Sequence, residues 1–448
     1  MPSETLGVAS KEWLSRQDQA NLLVEAPDTP MHMAVLTVFE GPGADLPADQ
    51  LLDRLRDHVR SRLDLLPELR RVLHSGRIPG PPPAWSEDPG FCVEEHVLGA
   101  RVAPPGGDEQ LLAAAADLLE CLLDRSRPLW EMWLLTGLSG GRWATLLKVH
   151  HSLTDGYGML QMALAIFDDS AGMGSVAAVS RAQRPALLRF LTAVVSPVAA
   201  LITAASVLRR TWHGRRADLL RPIGTQRRLE VVELDLTAVK DVAHSHEVKV
   251  NDVLLELAAA GIRGALNARR RRVDGVVLRV LMAVSPLVVR DTVTHNRAAS
   301  VIVSLPLQAS TTSERLLAIA ADSRRARRWQ RSGFIERSMV FAARTPFRRF
   351  ASRHQRVVDL AVSNLIGPTT ELRLLGDRMV RAIPITPISG NVTINFCALS
   401  YTGQLAIGIT ADAGAWPDLP VVTAAMRANA GELGLPVPGT PQLASQVT

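Results

Sequence analysis

Apolar positions recur along this chain in two rhythms, and the change from one to the other marks its most informative stretch. Trp143 to Val149 is a run of apolar and β-branched residues of strand length, while from Gly156 onward Tyr157, Leu160, Leu164 and Phe167 follow helical spacing. Between strand and helix stands the turn His150-His151-Ser152-Leu153-Thr154-Asp155. Upstream, Trp13 to Leu23 predicts a short helix ended by Pro27 and Pro30, and Met31 to Phe39 a strand with Ala34, Leu36 and Val38 on one side. Pro47 to Leu63 carries Leu51, Leu52, Leu55 and Val59 on one helical face, and Pro67 to Leu73 is expected to extend that helical region. An extended stretch begins at Ala84-Trp85 and continues from Phe91 through Val97; Asp108 is expected to cap a helix over Glu109 to Leu123. Asp124 to Trp130 then leads into the strand pair that delivers the histidines.

The second half repeats the mixture. A strand over Leu229 to Leu236 precedes a helix capped by Thr237, and Asn251 to Leu266 carries Val253, Leu254, Leu257 and Ala258 on a buried face. Arg269 to Arg272 reads as a solvated turn. Strands are expected at Gly275 to Val284, Ser300 to Leu305, Val357 to Ser363, Asn391 to Leu399 and Gln404 to Thr410, with an Arg-rich helical region from Ser313 to Arg356. Strands and helices interspersed in both halves indicate an α/β fold of two layered domains. At 448 residues the chain is too long for one ordinary core. The expected division is residues 1–180, a linker over 181–228, and residues 229–448.

Composition narrows the class. With 47% apolar and 21% charged residues the chain is globular. The net charge of +6, carried mainly by arginine, favours anionic partners: nucleic acid, an acidic membrane surface or a phosphorylated cofactor. Aromatic content of 4% argues against a base-stacking nucleic-acid binder. Three scattered cysteines and an N-terminus without an apolar signal core point to a cytoplasmic protein. Phe190 to Leu208 contains no charge and is followed by Arg209, Arg210, Arg215 and Arg216. Pro197, four Ser or Thr and many Ala make it a segment that docks on the other domain or dips into a bilayer surface, rather than a span.

The candidate chemistry sits on the turn. A base at a strand end is held by a rigid element yet faces a cleft, and Asp155 can curl back to bond locally or reach a neighbouring cation. A metal-ligand role is weaker, because Cys92, Cys121 and Cys397 are scattered and no HxxxH or CxxC spacing accompanies the histidines.

Several stretches together resemble the bacterial wax ester synthase/acyl-CoA:diacylglycerol acyltransferases, within the superfamily of chloramphenicol acetyltransferase and the peptide-synthetase condensation domains. They are Leu14-Ser15 with Asp18, Pro30-Met31-His32-Met33, Phe39-Glu40-Gly41, Trp85 with Asp88-Pro89, Phe91 and His96, and Pro128-Leu129-Trp130. The heptad HHxxxDG, Asn251-Asp252, Ser363-Asn364 with Gly367-Pro368, and Asn395 with Ser400-Tyr401 and Gly403 complete the set, in the family's order. Departures are His295-Asn296-Arg297, where the family often has Gly-Asn-Arg, and Cys397 in a strand usually filled by apolar residues.

The resemblance implies two chloramphenicol-acetyltransferase-like domains with mixed sheets, flanking helices and an active-site channel between them. It implies His151 as general base for acyl transfer from acyl-CoA to diacylglycerol or a long-chain alcohol, by direct attack in a ternary complex. His150 is expected to pack inward or to bond the turn, Asp155 to pair with an arginine and hold the loop, and Gly156 to keep the channel or the turn clear. Asn251 either donates to the thioester carbonyl, braces the histidine loop, or caps its helix. No resident cofactor or metal is expected, acyl-CoA being a co-substrate, and the protein is expected at the inner membrane face or on lipid inclusions. Two other readings remain: a polyketide, glycolipid or small alcohol as acceptor, or a non-catalytic lipid-binding paralogue.

Overall fold

The computed structural model describes residues 12–74, 83–168, 217–284, 299–308, 311–329 and 348–436. Residues 181–216 of the linker expected at 181–228, including the uncharged segment Phe190 to Leu208 with its arginines, and His295-Asn296-Arg297 lie outside the described residues.

In chain order the elements are β1 (Glu12–Trp13), α1 (Arg16–Val24), β2 (His32–Glu40), α2 (Ala48–Arg62), β3 (Arg71–His74), β4 (Ala84–Glu87), β5 (Val97–Arg101), α3 (Asp108–Glu120), β6 (Trp130–Leu138), β7 (Arg142–His150) and α4 (Gly156–Ile166). They continue with β8 (Arg227–Asp235), α5 (Leu236–Ser245), α6 (Val250–Ala268), β9 (Val277–Val284), β10 (Ala299–Pro306), α7 (Thr312–Trp329), α8 (Arg348–His354), β11 (Leu360–Ile366), β12 (Arg373–Leu374), β13 (Asp377–Ile385), β14 (Ile394–Tyr401), β15 (Gln404–Asp412) and α9 (Leu419–Glu432).

Two mixed six-stranded sheets carry the fold, ordered β12-β13-β2-β7-β6-β5 and β10-β9-β11-β14-β15-β8. A small third sheet, β1-β4-β3, stands beside them. In the first sheet β2 and β7 are central and antiparallel, with His32 opposite His150, while β5 joins β6 in parallel. Central strands covered on both faces read as continuous apolar runs. Accordingly β2 buries Ala34, Leu36 and Val38 toward α3, and also Met33, Val35 and Phe39 toward α2 and α4. The second sheet packs against α6, α7 and α9, around Leu255, Leu257, Ile262, Leu316, Ile319 and Val422.

The sheets do not follow the division expected from sequence. Strands β12 and β13, at residues 373–385, leave the second half and complete the first sheet beside β2. Their anchor is Asp377, whose carboxylate accepts hydrogen bonds from the Gly43 amide at 2.8 Å and the Trp143 indole at 2.7 Å. Tyr401 of β14 ties this strand back: its buried hydroxyl donates to the Met379 carbonyl at 3.0 Å and accepts from the Leu372 amide at 2.9 Å. Gly408 of β15 permits the close approach, since a Cβ there would stand 1.9 Å from the Pro384 carbonyl oxygen.

Some local expectations are corrected. Pro67 to Leu73 is not a helical extension: a 3-10 turn over Pro67–Arg70 gives way to β3. The stretch Phe91 to Val97 contains a 3-10 turn at Val93–Glu95. Asp108 lies inside α3 and Gly107 is its N-cap, because Gln110 reaches back to the Gly107 amide. Asp235, not Thr237, caps α5, accepting from the Ala238 amide at 2.7 Å.

Candidate active site

The histidine turn is built by what brackets it. Strand β7 ends at His150, whose amide donates to the Leu129 carbonyl at 3.0 Å, so Pro128-Leu129-Trp130 supports the strand end rather than lining it. Trp130 is fully buried, and its indole donates to the Leu69 carbonyl at 2.7 Å. His96 stacks on it at 4.7 Å and Phe91 on His96 at 5.1 Å, which gives these motif residues a packing role.

His150 points inward and is 1% exposed. The Ser152 amide donates to its Nδ1 at 2.9 Å, so in the neutral ring Nδ1 is the acceptor and the proton sits on Nε2. That Nε2 lies 3.0 Å from Glu25 Oε1. His32, its cross-strand neighbour, places its own Nε2 3.3 Å from the same oxygen. Arg125 closes the cluster with Nε and Nη2 at 3.1 and 2.8 Å from Glu25 Oε2. Burial raises the Glu25 pKa, but the facing imidazoles of His150 and His32 and the hydrogen bonds from Arg125 more than offset it, holding the carboxyl well below the ordinary range. His32 is pushed down to about 4, chiefly by burial and against the pull of Glu25.

His151, the next residue, is only half-buried. Its amide donates to the Met31 carbonyl at 2.8 Å, and its carbonyl accepts from the Asn21 side chain at 2.9 Å. Burial lowers the imidazole pKa below its ordinary value, while the charges of Asp155 and buried Asp18 pull it up. The neutral ring, the form able to accept a proton, therefore prevails near neutral pH.

Asp155 caps α4, its Oδ1 accepting from the Gly158 amide at 3.0 Å. Gly156 does not occupy the left-handed region, so the turn itself does not require glycine there. What limits the position is Leu365 of β11, 3.3 Å from where a Cβ would stand. Gly158 is tighter, since a Cβ there would meet Thr154 Oγ1 at 1.8 Å. Asn251 is not the helix cap: Lys249 holds that place, with the Asp252 side chain accepting from its amide at 3.0 Å. Asn251 Oδ1 instead accepts from Asn364 Nδ2 at 2.8 Å. Asn364 precedes Leu365, so this pair sits one residue along β11 from the point where the second sheet meets α4.

Sequence reasoning did not single out Glu25 or Asn21, and took His32 only as part of a motif. The spacing of Asn21 and Glu25 at the end of α1 gives no chemical signal; only the packing of that end against β2 and β7 brings them to the histidines. Cys397 is buried in β14 and its thiol is pushed up to about 11 by burial, so it behaves as a small apolar side chain. Asn395 braces the second sheet, accepting from the Ala361 amide and donating to the Pro387 carbonyl, both at 2.7 Å. Among the described residues no group of three or more His, Cys, Asp or Glu side chains is placed to hold a metal ion. Two open clefts, one beside Asp108 and Arg381 and one beside Arg269 to Arg272, lie away from the histidine turn.

Comparison with known proteins follows the same lines. The wax ester synthase/diacylglycerol acyltransferase catalytic domain matches residues 14–212 and 170–254, and the C-terminal domain of that family matches residues 294–433. A protein of Mycobacterium tuberculosis named as a probable diacylglycerol O-acyltransferase is 29% identical over 429 residues, covering 89% of this chain and 90% of its own. A second from that organism is 28% identical over 458 residues, covering 92% and 88%. Among solved structures, a wax ester synthase/diacylglycerol acyltransferase from Marinobacter aquaeolei superimposes with a TM-score of 0.70 at 21% identity, covering 94% of this chain and 98% of its own. The starter condensation domain of rhizomide synthetase, crystallised with C8-CoA and Leu-SNAC, superimposes with a TM-score of 0.58 at 14% identity, covering 94% of each. With both family domains matched across most of its length and the same two-sheet fold, this chain belongs to the wax ester synthase/diacylglycerol acyltransferase family.

Proposed function

We propose that this enzyme transfers a fatty acyl group from acyl-CoA to the hydroxyl of diacylglycerol or a long-chain alcohol, with His151 as the general base. The alcohol oxygen attacks the thioester carbonyl while its proton passes to the His151 imidazole. Collapse of the tetrahedral intermediate breaks the carbon–sulfur bond, and the imidazolium returns the proton to the departing CoA thiolate. A thioester carries a good leaving group, so the reaction needs neither a covalent acyl-enzyme nor a resident cofactor.

The observation that carries this reading is the contrast between adjacent histidines. His150 is buried, its Nδ1 held by Ser152 and its Nε2 turned to the Glu25 carboxylate, whereas His151 is half-buried, with a pKa lowered by burial. Asp155 is read as the residue that orients the turn, through the α4 cap. Gly156 is read as clearance against Leu365, and the Asn251–Asn364 pair as a brace between the second sheet and that seam.

Replacing His151 with Ala tests the assignment. Turnover, followed as CoA thiol release with oleoyl-CoA and dioleoylglycerol or hexadecanol, is expected to fall about a hundredfold to ten-thousandfold with the melting temperature largely kept. Near-wild-type turnover would refute the role. Thin-layer separation of the products decides the acceptor: accumulation of neither triacylglycerol nor wax ester, with thiol release on a smaller alcohol, would move the substrate class.

Peripheral association with an anionic membrane or lipid-inclusion surface is part of the proposal. It is supported by the net charge of +6 and by the basic flank of Phe190 to Leu208. Among the described residues no helix is long and apolar enough to cross a membrane. Sedimentation with vesicles rich in anionic lipid, reversed by high salt, is the expected behaviour; a protein that ignores such vesicles would remove this part.

A further inference from the structure

Both backbone polar groups of His151 are held from outside its own turn, by a segment that contributes no atom to the proposed chemistry. Its carbonyl is bound by the Asn21 side chain on the last turn of α1, and its amide by the Met31 carbonyl just before β2. Glu25, the residue after α1, joins these two anchors. Its amide donates to the Asn21 carbonyl at 3.2 Å, its Oε1 accepts from the Met31 amide at 3.4 Å, and the same oxygen faces His150 Nε2 at 3.0 Å. Arg125 fixes the other carboxylate oxygen and also donates to the Leu22 carbonyl at 2.9 Å, which pins the carboxylate to the helix that carries it.

We propose that Glu25 and Asn21 are positioning residues of the acyl transfer: together they hold His150 in one tautomer and the His151 backbone in one place, so that the His151 ring is presented to substrate in a single orientation. The inference rests on His151 being the base. Its physical ground is the cost of the arrangement. A carboxylate with a side chain 3% exposed is expensive to desolvate, and an apolar residue would pack the end of α1 at lower cost. What an apolar residue cannot do is set a negative charge 3.0 Å from His150 Nε2 while accepting from the Met31 amide. With Nδ1 held by the Ser152 amide, the facing carboxylate favours the tautomer that carries its proton on Nε2, and so steadies the ring and the turn that follows it. General-base catalysis is steep in geometry, and a displacement of about 1 Å costs on the order of a hundredfold in rate.

Glu25→Gln and Asn21→Ala separate positioning from plain stability when each is made alone and together with His151→Ala in the full chain. The amide of Glu25→Gln sets an N–H2 group against either Arg125 or His150, and Asn21→Ala removes only the contact to the His151 carbonyl. With oleoyl-CoA and dioleoylglycerol, kcat is expected to fall about tenfold to a hundredfold in the first variant and about tenfold in the second, with KM for acyl-CoA within about twofold. In the His151→Ala background neither change should lower the residual rate by more than about twofold, because a residue acting through His151 has nothing left to act on. Folded variants with wild-type kcat, or losses that multiply with that of His151→Ala, would overturn the proposal. Should Glu25→Gln fail to fold, Asn21→Ala strands no charge and decides the matter by itself. His151→Ala at wild-type turnover would sink the base assignment; an inactive His151→Ala beside fully active Asn21 and Glu25 variants would sink only the positioning role.

Discussion

At the scale of single residues, the site depends on side chains whose surroundings set one of several available roles. Two adjacent histidines differ because alternation along β7 turns His150 into the sheet, while His151 begins the turn. Asp155 has two separable functions. Its oxygen caps α4, and its charge raises the proton affinity of His151. Asn can supply the cap oxygen without the charge, and Ala supplies neither. Asp155→Ala is therefore expected to be about 1 kcal/mol less stable than Asp155→Asn in urea unfolding. The Asn variant should shift the acid limb of its kcat/KM profile to lower pH, because loss of a neighbouring carboxylate lowers an imidazole pKa. An unmoved limb would deny Asp155 any electrical influence on the base. The pairing of histidines with HHxxxDG was legible in the sequence; that Gly156 answers to Leu365 was not, because Leu365 comes from a distant strand.

At the scale of elements, most strands and helices were legible because their apolar period is clear. The failures have physical causes. In β13, Arg378, Arg381 and Pro384 interrupt the apolar pattern, and Arg381 is tolerated because Glu233 and Asp108 accept from its guanidinium, each at 2.6 Å. Polar residues buried inside elements are similarly invisible to periodicity. Lys148 of β7 is wholly buried, yet its ammonium donates to the Leu118 and Cys121 carbonyls at the end of α3 and lies 3.0 Å from Glu131. Arg279 of β9 is 2% exposed and forms two parallel hydrogen bonds with Asp359, at 2.9 and 2.8 Å, just before β11. Asp359→Ala would leave that guanidinium buried without its carboxylate, and the expected loss is roughly 3 to 5 kcal/mol in chemical unfolding. A loss below about 1 kcal/mol would mean that water enters to solvate the arginine.

At the scale of the whole molecule, stability is expected to fall on mild acidification. His32 is buried against Glu25, His150 and Lys148, and its folded-state pKa of about 4 lies below the ordinary 6.5. A group depressed in this way stabilises the fold fully above its unfolded pKa, and the contribution is lost as pH falls from about 6.5 toward 4. Glu25, also depressed, adds a further loss below about 4.5, as the unfolded state takes up a proton that the folded state refuses. For His32 the loss is on the order of 3 kcal/mol. The urea midpoint should decline steadily between pH 7 and pH 4, and less steeply in His32→Asn; equal slopes would show that other groups govern the acid limit. This sensitivity belongs to the whole fold, since α1, β2, β7 and the segment carrying Arg125 all converge on one carboxylate.

Sequence alone determined the α/β class, the strand–turn–helix that carries the histidines, and, through motifs in fixed order, the family. These are properties of local period and short spacing, which a chain displays whether or not it is folded. Only the tertiary structure decided that residues 373–385 complete the first sheet, that Gly408 lets β15 pass under Pro384, and that Asn21 and Glu25 grip the histidine turn. Each of these joins residues far apart in the chain, through a strand crossover or a register that side-chain pattern does not encode. A lone Glu after a nine-residue helix acquires chemical meaning only when β2 sets His32 opposite His150 and folds α1 back across both.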